Sequence, residues 1–370
     1  MIPPGSTIGI IGGGQLGRML AVAAAQLGYK CHVFDPHEHP PAADVAARLT
    51  RAEFDDLGAL RELAGIVDVA TYEFENLPVA PLDVLGSKLC PSTRSLAIAQ
   101  DRGREKAFIE GTGARVAPWR TVASLEEIQA GARDLGLPLV LKTRRYGYDG
   151  KGQAWVREPG GAAAAWAAIG EEPAVAEAAI DFLGEFSVIL ARWHDGRHVF
   201  WDSPQNEHGD GILRRSTVPC SDQLAPQVAE AREAALRIAE ALGHVGVLTV
   251  EFFASRDGPL VNEIAPRVHN SGHWTIEGAV TSQFEQHIRA ICDLPPGLTG
   301  LTRGGAVMDN LIGDDVQRWP ELVAERGAHL HLYGKAPRPG RKIGHVTLVD
   351  PDEETVARAV ALASEEGGRG

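Results

Sequence analysis

A lysine at the end of an apolar run, followed by a glycine-rich segment, is the most informative stretch of this 370-residue chain. Residues 139–141 are apolar and run into Lys142, which predicts a buried strand with the lysine at its inner end. Gly147, Gly150 and Gly152 follow, and such spacing leaves backbone N–H groups able to turn toward an anion. A fixed cation beside a flexible loop is what a triphosphate requires. A solvated β-hairpin with a strand-end lysine is the alternative.

Two glutamates are expected to face each other later in the chain. A hairpin over 245–264 with Ser255 opposite Pro259 places Glu251 opposite Glu263. Directly opposed Cβ atoms lie about 4.5–5.5 Å apart. Carboxylates that close repel each other unless a cation or a proton lies between them. Mg²⁺ meets this need because it combines one or two carboxylates with phosphate oxygens. Glutamates that point outward into solvent are the alternative.

The chain opens with a βαβ pattern. A strand over 7–11 runs into Gly-Gly-Gly-Gln-Leu-Gly at 12–17, an alanine-rich helix covers 18–27, and a second strand over 30–34 ends at Asp35. A G-x-G-x-x-G turn followed by an acidic residue is typical of a dinucleotide site, so an NAD-dependent dehydrogenase is one alternative. The more general prediction is a helix N-terminus that faces a phosphate or carboxylate.

Alternating strands and helices must position these groups. A strand over 67–71 places Glu73, Glu75 and Asn76 at its carboxyl end, the edge where ligands bind in an open α/β sheet. A helix is expected over 96–109. The other expected elements are a helix over 57–64, a strand over 116–119, a helix over 125–135, strands over 173–177 and 185–191, a hairpin over 193–200, a helix over 226–242, and strands over 306–311, 329–332 and 344–348.

Composition limits the possible partners. The net charge of −13 and the pI near 5.5 argue against nucleic acid or an anionic membrane. One basic cluster, four Lys or Arg within 335–342, is therefore expected to bind an anion. The N-terminus has no charged segment before its apolar stretch, and the four cysteines lack zinc or CxxC spacing. We expect a cytoplasmic protein of two or three domains that acts on small molecules, with a homodimer as the expected assembly.

Longer motifs resemble a known family. Lys106, Lys142, Glu251 and Asn262-Glu263 stand in the order used by the ATP-grasp superfamily. Four segments that span nearly the whole chain resemble the N5-carboxyaminoimidazole ribonucleotide synthase family. These segments are GGGQLG at 12–17, YGYDGKGQ at 146–153, NEIAPRVHNSGHWT at 262–275 and RPGRKIGH at 338–345.

The resemblance implies an α/β fold in three parts. These are a Rossmann-like pre-ATP-grasp domain over 1–97, a two-lobed ATP-grasp module over 98–295 with a lid lobe over about 106–176, and a small β-rich domain over 296–370. It also implies a ligase of de novo purine (IMP) biosynthesis. Such an enzyme uses ATP and bicarbonate to carboxylate 5-aminoimidazole ribonucleotide through carboxyphosphate, giving the N5-carbamate, ADP and phosphate.

The resemblance also assigns roles to individual residues. It implies ATP with Mg²⁺, or Mn²⁺ as a substitute, at Glu251 and Glu263. ATP would contact Arg102, Lys142, Gly147, Tyr148, Asp149, Gly150, Lys151, Gly152, Gln153, Glu177, Ile180, Glu185, His208, Asn262 and Glu263. The chemistry would involve Asp149, Lys151, Arg267, His269, Asn270 and Ser271. The ribonucleotide would contact Gly14, Gln15, Leu16, Glu73, Asn76, Tyr148, Lys335, Arg341 and Lys342.

Two departures and two further alternatives remain. Tyr146 stands where many relatives have glycine, which predicts a stiffer loop, and residues 176–180 match the adenine-hinge pattern only loosely. Another ATP-grasp ligase, such as a formate-dependent ribonucleotide transformylase or a biotin-carboxylase-like enzyme, is one alternative, although the HNSGHW motif at 269–274 argues against it. A non-catalytic nucleotide-binding regulator is the other.

Overall fold

The computed structural model describes residues 1–147 and 151–351. The candidate residues Tyr148, Asp149 and Gly150 therefore lie outside the described residues, as does the end of the predicted C-terminal domain. None of the helices in these two ranges combines the length and apolar character that a membrane span needs.

A parallel sheet forms the N-terminal unit and confirms the predicted βαβ start. Its elements are β1 (Thr7–Ile11), α1 (Gln15–Gln26), β2 (Lys30–Phe34), β3 (Arg48–Thr50), α2 (Leu57–Ile66), β4 (Val69–Tyr72), α3 (Val79–Leu82) and a 3-10 helix (Asp83–Lys88). The strand order is β3-β2-β1-β4. Ile8, Ile10 and Val33 are fully buried, as expected for a parallel sheet that is covered on both faces. The carboxyl ends of β1 and β4 lie side by side at the sheet edge.

A smaller antiparallel sheet follows. Its segment contains α4 (Thr93–Ala99), α5 (Arg102–Gly111), β5 (Trp119–Val122), α6 (Leu125–Leu135), β6 (Leu139–Thr143), β7 (Gln153–Val156), a 3-10 helix (Pro159–Gly161), α7 (Ala162–Ala168) and β8 (Ala174–Ala178). The order β5-β8-β6-β7 makes β6 an inner strand with Lys142 near its end, as predicted. The strand expected over 116–119 begins only at Trp119, because Val116 forms an isolated bridge with Val261.

The large sheet carries the rest of the described chain. Its segment contains β9 (Phe182–Arg192), β10 (His198–Phe200), β11 (Gln205–Gly209), β12 (Ile212–Val218), α8 (Ala225–Leu242), β13 (Gly246–Ser255), β14 (Gly258–Ala265), a 3-10 helix (Asn270–Gly272), α9 (Thr275–Gly278), α10 (Gln283–Ile291), β15 (Ala306–Ile312), a 3-10 helix (Gly313–Arg318), α11 (Trp319–Ala324), β16 (Ala328–Leu332) and β17 (Lys342–Val349). The strand order is β14-β13-β9-β11-β12-β15-β17-β16, with β10 beside β9.

The C-terminal strands β15, β16 and β17 extend the large sheet. β12 pairs with β15, and Arg215 donates two hydrogen bonds of 2.6 and 2.7 Å to Asp309 across that pair. The sequence pattern does not predict β11 and β12. In the large sheet, these two strands connect β9 on one side with the C-terminal strand β15 on the other. Because of this continuity, the loop between β16 and β17 lies beside the same cavity as the N-terminal glycine turn.

The hairpin of β13 and β14 pairs Glu251 with Glu263, as predicted, but by a different register. The turn sets Ser255 opposite Gly258 rather than Pro259, one residue away from the prediction. A bulge at Asn262 then adds one residue to β14, so that the two glutamates still face each other.

The helix expected over 96–109 is two helices. α4 ends at Ala99 and α5 begins at Arg102. Asp101 separates them because its side chain accepts hydrogen bonds from the backbone N–H groups of Gly103 and Arg104, which caps α5. The break turns Arg102 toward β14.

Candidate active site

Two adjoining cavities contain most of the predicted site residues. The small cavity, of 300 Å³, lies between the two antiparallel sheets. The large cavity, of 610 Å³, lies between the N-terminal unit, β14 and the loop before β17. Arg102, Lys151 and Glu263 line both cavities. A molecule in one cavity can therefore meet a molecule in the other at these three side chains.

The small cavity brings together the residues predicted to contact the nucleotide. Its lining includes Arg102, Lys142, Lys151, Gly152, Gln153, Glu177, Ile180, Glu185, His208, Glu251, Asn262 and Glu263. Gly147, also predicted to contact the nucleotide, lines the large cavity instead.

Two lysines and one glutamate form a charged group on the small-sheet side of the small cavity. Oε2 of Glu177 lies 3.1 Å from Nζ of buried Lys106 and 3.3 Å from Nζ of Lys142. Burial opposes ionisation of Glu177, but Lys142 and then Lys106 lower the pKa of this carboxyl. Lys142 also donates to Oδ1 of Asn262 at 3.2 Å. The Lys142 ammonium is thus fixed between the two sheets, as phosphate binding requires.

The opposite wall of the small cavity contains an imidazole–carboxylate pair. Nδ1 of His208 lies 2.9 Å from a carboxylate oxygen of Glu185. Burial alone would lower the pKa of His208, but its hydrogen bond to Glu185 raises it. Both side chains are less than one-third exposed, so a ligand in this cavity would meet them directly.

The paired glutamates occupy unlike electrostatic environments. Burial and then the charge of Glu263 raise the pKa of Glu251 to about 7. Burial also acts against the charge of Glu263, but Arg102, whose Nη1 lies 2.8 Å from Oε2, lowers that pKa to about 2. One carboxylate is thus stabilised by a guanidinium, while the other favours holding a proton near neutral pH.

This pair fits a hard divalent cation. The donor set consists of carboxylate and amide oxygens from Glu251, Glu263 and Asn262, which Mg²⁺ and Mn²⁺ prefer. Within residues 1–147 and 151–351, no three His, Cys, Asp or Glu side chains converge as a complete metal site. The arrangement therefore fits an ion whose other ligands are phosphate oxygens and water.

His269 connects Glu251 to a buried polar chain. Its Nε2 lies 3.3 Å from Oε1 of Glu251, and its Nδ1 lies 2.9 Å from Oγ of Ser271. Ser271 is fully buried and donates to Oγ of Ser187 at 3.0 Å, and Ser187 in turn bonds Asn206 at 2.7 Å. Ser271, predicted to contact the reacting groups, lies behind His269 and lines neither of these cavities. Its hydroxyl group orients the imidazole ring.

Arg267 is held in the large cavity by Glu75, which the sequence places at the ligand-binding edge without assigning it a ligand. Glu75 accepts two hydrogen bonds of 2.7 Å from this guanidinium. Burial would lower the pKa of Arg267, but Glu75 raises it, so the cation is permanent. His269 and Asn270 line the same wall, and Asn270 exchanges hydrogen bonds of 2.9 and 2.7 Å with Asn310.

The glycine turn binds the protein's own carboxylates. Glu73 accepts hydrogen bonds from the N–H groups of Gly14 and Gly17, at 2.5 and 2.9 Å. Burial raises the pKa of Glu73, while these N–H groups oppose the rise. Asp35 is buried and accepts from the N–H of Gly13 at 2.7 Å. A Cβ on Gly14 would lie 2.4 Å from Oε1 of Glu73, so glycine is needed for this close approach.

Those contacts bear on two of the predicted ribonucleotide contacts. Gly14 and Glu73 bond each other and are not among the residues that line the large cavity. The two features that favour a dinucleotide site, the glycine turn and Asp35, likewise bond to each other. The turn therefore has fewer free N–H donors for an external phosphate than its sequence indicates.

Side chains from both ends of the chain line the large cavity. Nζ of Lys335 donates a hydrogen bond to Oε1 of Gln15, although the two residues are 320 positions apart. The predicted residues on this wall are Gln15, Leu16, Asn76, Lys335, Arg341 and Lys342, and Arg338 joins them. The basic cluster of 335–342 thus faces the carboxyl edge of the N-terminal sheet.

Comparison with known proteins agrees with this architecture. Residues 5–100 match the model of a ribonucleotide synthetase preATP-grasp domain, and residues 107–284 match that of an ATP-grasp domain. Residues 306–359 match the model of a phosphoribosylaminoimidazole carboxylase C-terminal domain. A Brucella melitensis biotype 1 protein named N5-carboxyaminoimidazole ribonucleotide synthase is 50% identical over 357 residues, which cover 95% of this chain and 98% of that protein.

This chain belongs to the N5-carboxyaminoimidazole ribonucleotide synthase family. A solved N5-carboxyaminoimidazole ribonucleotide synthetase in its ADP complex is similar, with a TM-score of 0.92 and 41% identity, covering 98% of this chain and 97% of that one. The Aspergillus clavatus N5-carboxyaminoimidazole synthase, in complex with ADP and 5-aminoimidazole ribonucleotide, matches with a TM-score of 0.91 and 30% identity over 98% of this chain and 99% of that one.

In this member of the synthase family, Asp101 is a site residue that the predicted set missed. Besides capping α5, it accepts hydrogen bonds of 2.8–3.2 Å from both Nε and Nη2 of Arg144, which leads into the glycine loop. The backbone N–H of Arg102 donates to the carbonyl oxygen of Arg144 at 3.0 Å. An aspartate just before a basic helix start is an N-cap signal, but the expectation of one long helix concealed it.

We expect Asp101→Asn to separate these two roles. Asparagine still caps α5, so thermal stability should change little, whereas the charge that holds Arg144 is lost. The KM for ATP should rise roughly tenfold, the scale of one charged hydrogen bond, and amide exchange in β7 should become faster. Asp134→Asn, which breaks the surface pair with Arg120 at 2.5 Å, is the matched control. Equal KM values for both variants would contradict this coupling.

A group of imidazoles, of which His273 and His345 are buried, joins this synthase's C-terminal strands to its reaction wall. The rings of His331 and His345 stack at 4.5 Å, and His273, which lines the large cavity, lies 4.8 Å from His345. Tyr333 bonds Nδ1 of His345 at 2.7 Å, and Glu277 bonds His331 at 2.7 Å. Burial and then neighbouring imidazoles hold the pKa of His273 and of His345 well below the usual value.

These depressed pKa values predict acid sensitivity. Below about pH 6.5, these histidines bind protons in the unfolded chain but stay neutral in the folded protein. The free energy of unfolding therefore has its full value above that pH and falls as the pH is lowered. Each such histidine costs about 1.4 kcal/mol of unfolding free energy per pH unit. Urea midpoints at pH 7.5 and 5.5 should therefore differ, and His345→Gln should reduce the difference. Exposed His198→Gln is the control, and an equal decline in all three proteins would contradict the assignment.

Proposed function

We propose that this chain uses ATP and bicarbonate to carboxylate 5-aminoimidazole ribonucleotide, giving the N5-carboxyamino product, ADP and phosphate. The observation that carries the proposal is the junction of the two cavities at Arg102, Lys151 and Glu263. A nucleotide in the small cavity would place its terminal phosphate where a ribonucleotide in the large cavity can be reached. The names and ligands of the similar proteins support the same assignment.

The small cavity would bind ATP. Lys142 and Arg102 would neutralise charge on the phosphates, and Glu185 with His208 would face the ribose. Glu177 sets the position of Lys142, and its Oε1 is a buried acceptor without a partner among the described residues. The adenine would lie beside the 177–180 segment, whose residues line this cavity.

Glu251, Glu263 and Asn262 would hold Mg²⁺, or Mn²⁺ in its place. When bound, the ion neutralises charge as phosphate is transferred from ATP to bicarbonate. The protein itself places the carboxylates of Glu251 and Glu263 opposite each other on the paired strands β13 and β14. Arg102 keeps Glu263 ionised.

Arg267, His269 and Asn270 would receive bicarbonate beside that junction. Bicarbonate is a poor electrophile until it is phosphorylated, and the transfer needs position and charge neutralisation more than a nucleophilic side chain. Glu75 fixes the Arg267 guanidinium and Ser271 fixes the His269 ring, so this wall is ordered before substrate arrives. Lys151 lines both cavities, and Asp149 would act beside it.

The large cavity would bind the ribonucleotide. Arg341, Lys342 and Lys335 bring positive charge to a phosphate, and Gln15 and Asn76 offer amides to the ribose. Tyr148 would contact the aminoimidazole. A homodimer, a cytoplasmic location and the absence of nucleic-acid or membrane partners rest on composition and stay predictions.

Phosphate release tests the function directly. Purified protein with ATP and Mg²⁺ is given bicarbonate or formate, each with and without 5-aminoimidazole ribonucleotide, and biotin replaces the ribonucleotide in a further reaction. We expect coupled phosphate release only with bicarbonate and the ribonucleotide together. Release that depends on formate or on biotin would support one of the alternative ligases, and no release under any condition would support a regulator.

A further inference from the structure

A third cavity, of 460 Å³, opens beside the large one, and Asn76 and Asp101 alone among its lining residues have roles assigned above. This side cavity is lined by the loop after β4, by α4, by the start of α5 and by the residues that lead into the glycine loop. Asn76, Gln100, Arg145 and Tyr146 line both the side and the large cavity. No described residue lines both the side cavity and the small cavity.

The lining of the side cavity is electropositive. Arg104 is exposed and has no carboxylate partner among the described residues. Arg145 donates to neutral Gln100 at 2.7 Å and lies 5.8 Å from the ring of Tyr146. The acidic residue of the lining, Asp101, is already bonded to Arg144 at 2.8 Å. Both guanidinium groups can therefore meet an anion that enters this cavity.

The reaction requires a route for small anions. When ATP fills the small cavity and the ribonucleotide fills the large one, bicarbonate must still reach the junction and inorganic phosphate must leave it. The side cavity adjoins the large cavity and is separate from the nucleotide. Exposed cations at its mouth would raise the local concentration of anions without binding them tightly, as a passage requires.

We propose that the side cavity is a passage for small oxyanions, lined by Arg104 and Arg145, through which bicarbonate enters or phosphate leaves. The inference rests on the proposed function. Bicarbonate and phosphate share the chemistry that these guanidinium groups recognise, so the passage serves one or both. Asn76 supplies a neutral amide between its mouth and the large cavity, whereas the amide nitrogen of Gln100 already donates to the carbonyl oxygens of Glu75 and Leu77.

The test compares Arg104→Gln, Arg145→Gln and the double variant with wild type at low ionic strength. With ATP and ribonucleotide saturating, the double variant should raise the KM for bicarbonate about three- to tenfold, or weaken product inhibition by phosphate by a similar factor. The first result identifies entry and the second identifies exit. The KM for ATP should stay within about twofold in all three variants, because neither arginine lines the small cavity. The KM for ribonucleotide should stay within about twofold in Arg104→Gln, because Arg104 does not line the large cavity either.

Arg133→Gln is the matched control, since it removes one exposed charge from α6 at a position that lines none of the three cavities. One outcome is that wild type turns over bicarbonate while the double variant has the wild-type KM for bicarbonate and the wild-type inhibition by phosphate. That result would overturn the proposal of a passage and leave the proposed function standing. A wild-type protein without bicarbonate-dependent turnover overturns the proposed function and the passage together.

Discussion

Replacing Glu263 by alanine should abolish ATP hydrolysis, with a loss of about 100-fold or more, and Glu251→Ala should do the same. Glu263 lies 2.8 Å from Arg102 and opposite Glu251 on the β13–β14 ladder. Its removal takes away one ligand of the expected cation and leaves Arg102 without its carboxylate partner. The loss of Glu251 removes the second ligand.

The measurement is phosphate release as Mg²⁺ is varied, together with thermal unfolding of each variant. Both variants should remain folded, because the side chains lie at a cavity and not in an apolar core. Glu207→Ala is the matched control, since it removes an exposed glutamate from β11 of the same sheet. Hydrolysis within threefold of wild type in either site variant would contradict the metal assignment.

Arg341→Ala should weaken ribonucleotide binding by roughly 1.5–3 kcal/mol, the scale of a charged hydrogen bond. The side chain lines the large cavity, and the small cavity does not include it. The affinity for ATP should therefore change far less. NADH should not bind measurably, because the N–H groups of the glycine turn already bond Glu73 and Asp35.

Parallel titrations of ribonucleotide, ATP and NADH against wild type and Arg341→Ala measure these differences. Arg326→Ala removes the same charge at an exposed position just before β16 and serves as the control. An Arg341 effect confined to ATP, or NADH binding at micromolar concentration, would contradict the assignment of the large cavity.

Local patterns in the sequence predicted the parts of the fold that local physics determines. β1 and β2 have the predicted bounds, and α8 ends at Leu242 with Gly243 as its C-cap, whose φ of 62° suits glycine. The opposition of Glu251 and Glu263 was also predicted, yet it depends on the bulge at Asn262. Such a bulge depends on long-range packing, since α5 lies against β14 and Lys106 donates to the carbonyl oxygen of Asn262 at 3.4 Å.

The motifs predicted which residues gather, but not which of them bond each other. Nearly all the predicted nucleotide contacts among the described residues line the small cavity. The sequence could not show that Glu73 satisfies the glycine turn, because that contact spans 59 positions. Nor could it show that Glu75 holds Arg267, which lies 192 positions away. The first contact is set by the parallel pairing of β1 with β4, and the second by the position of Glu75 beside the segment that follows β14.

Transfer of oxygen from bicarbonate to phosphate tests the central claim most directly. The enzyme is supplied with ¹⁸O-labelled bicarbonate, ATP, Mg²⁺ and 5-aminoimidazole ribonucleotide, and the phosphate product is analysed by mass spectrometry during early turnover. If the γ-phosphate of ATP is transferred to bicarbonate before the amine is carboxylated, each phosphate released carries one labelled oxygen and the product forms in equal amount. Unlabelled phosphate, or labelled phosphate without the carboxylated product, would contradict the proposed reaction.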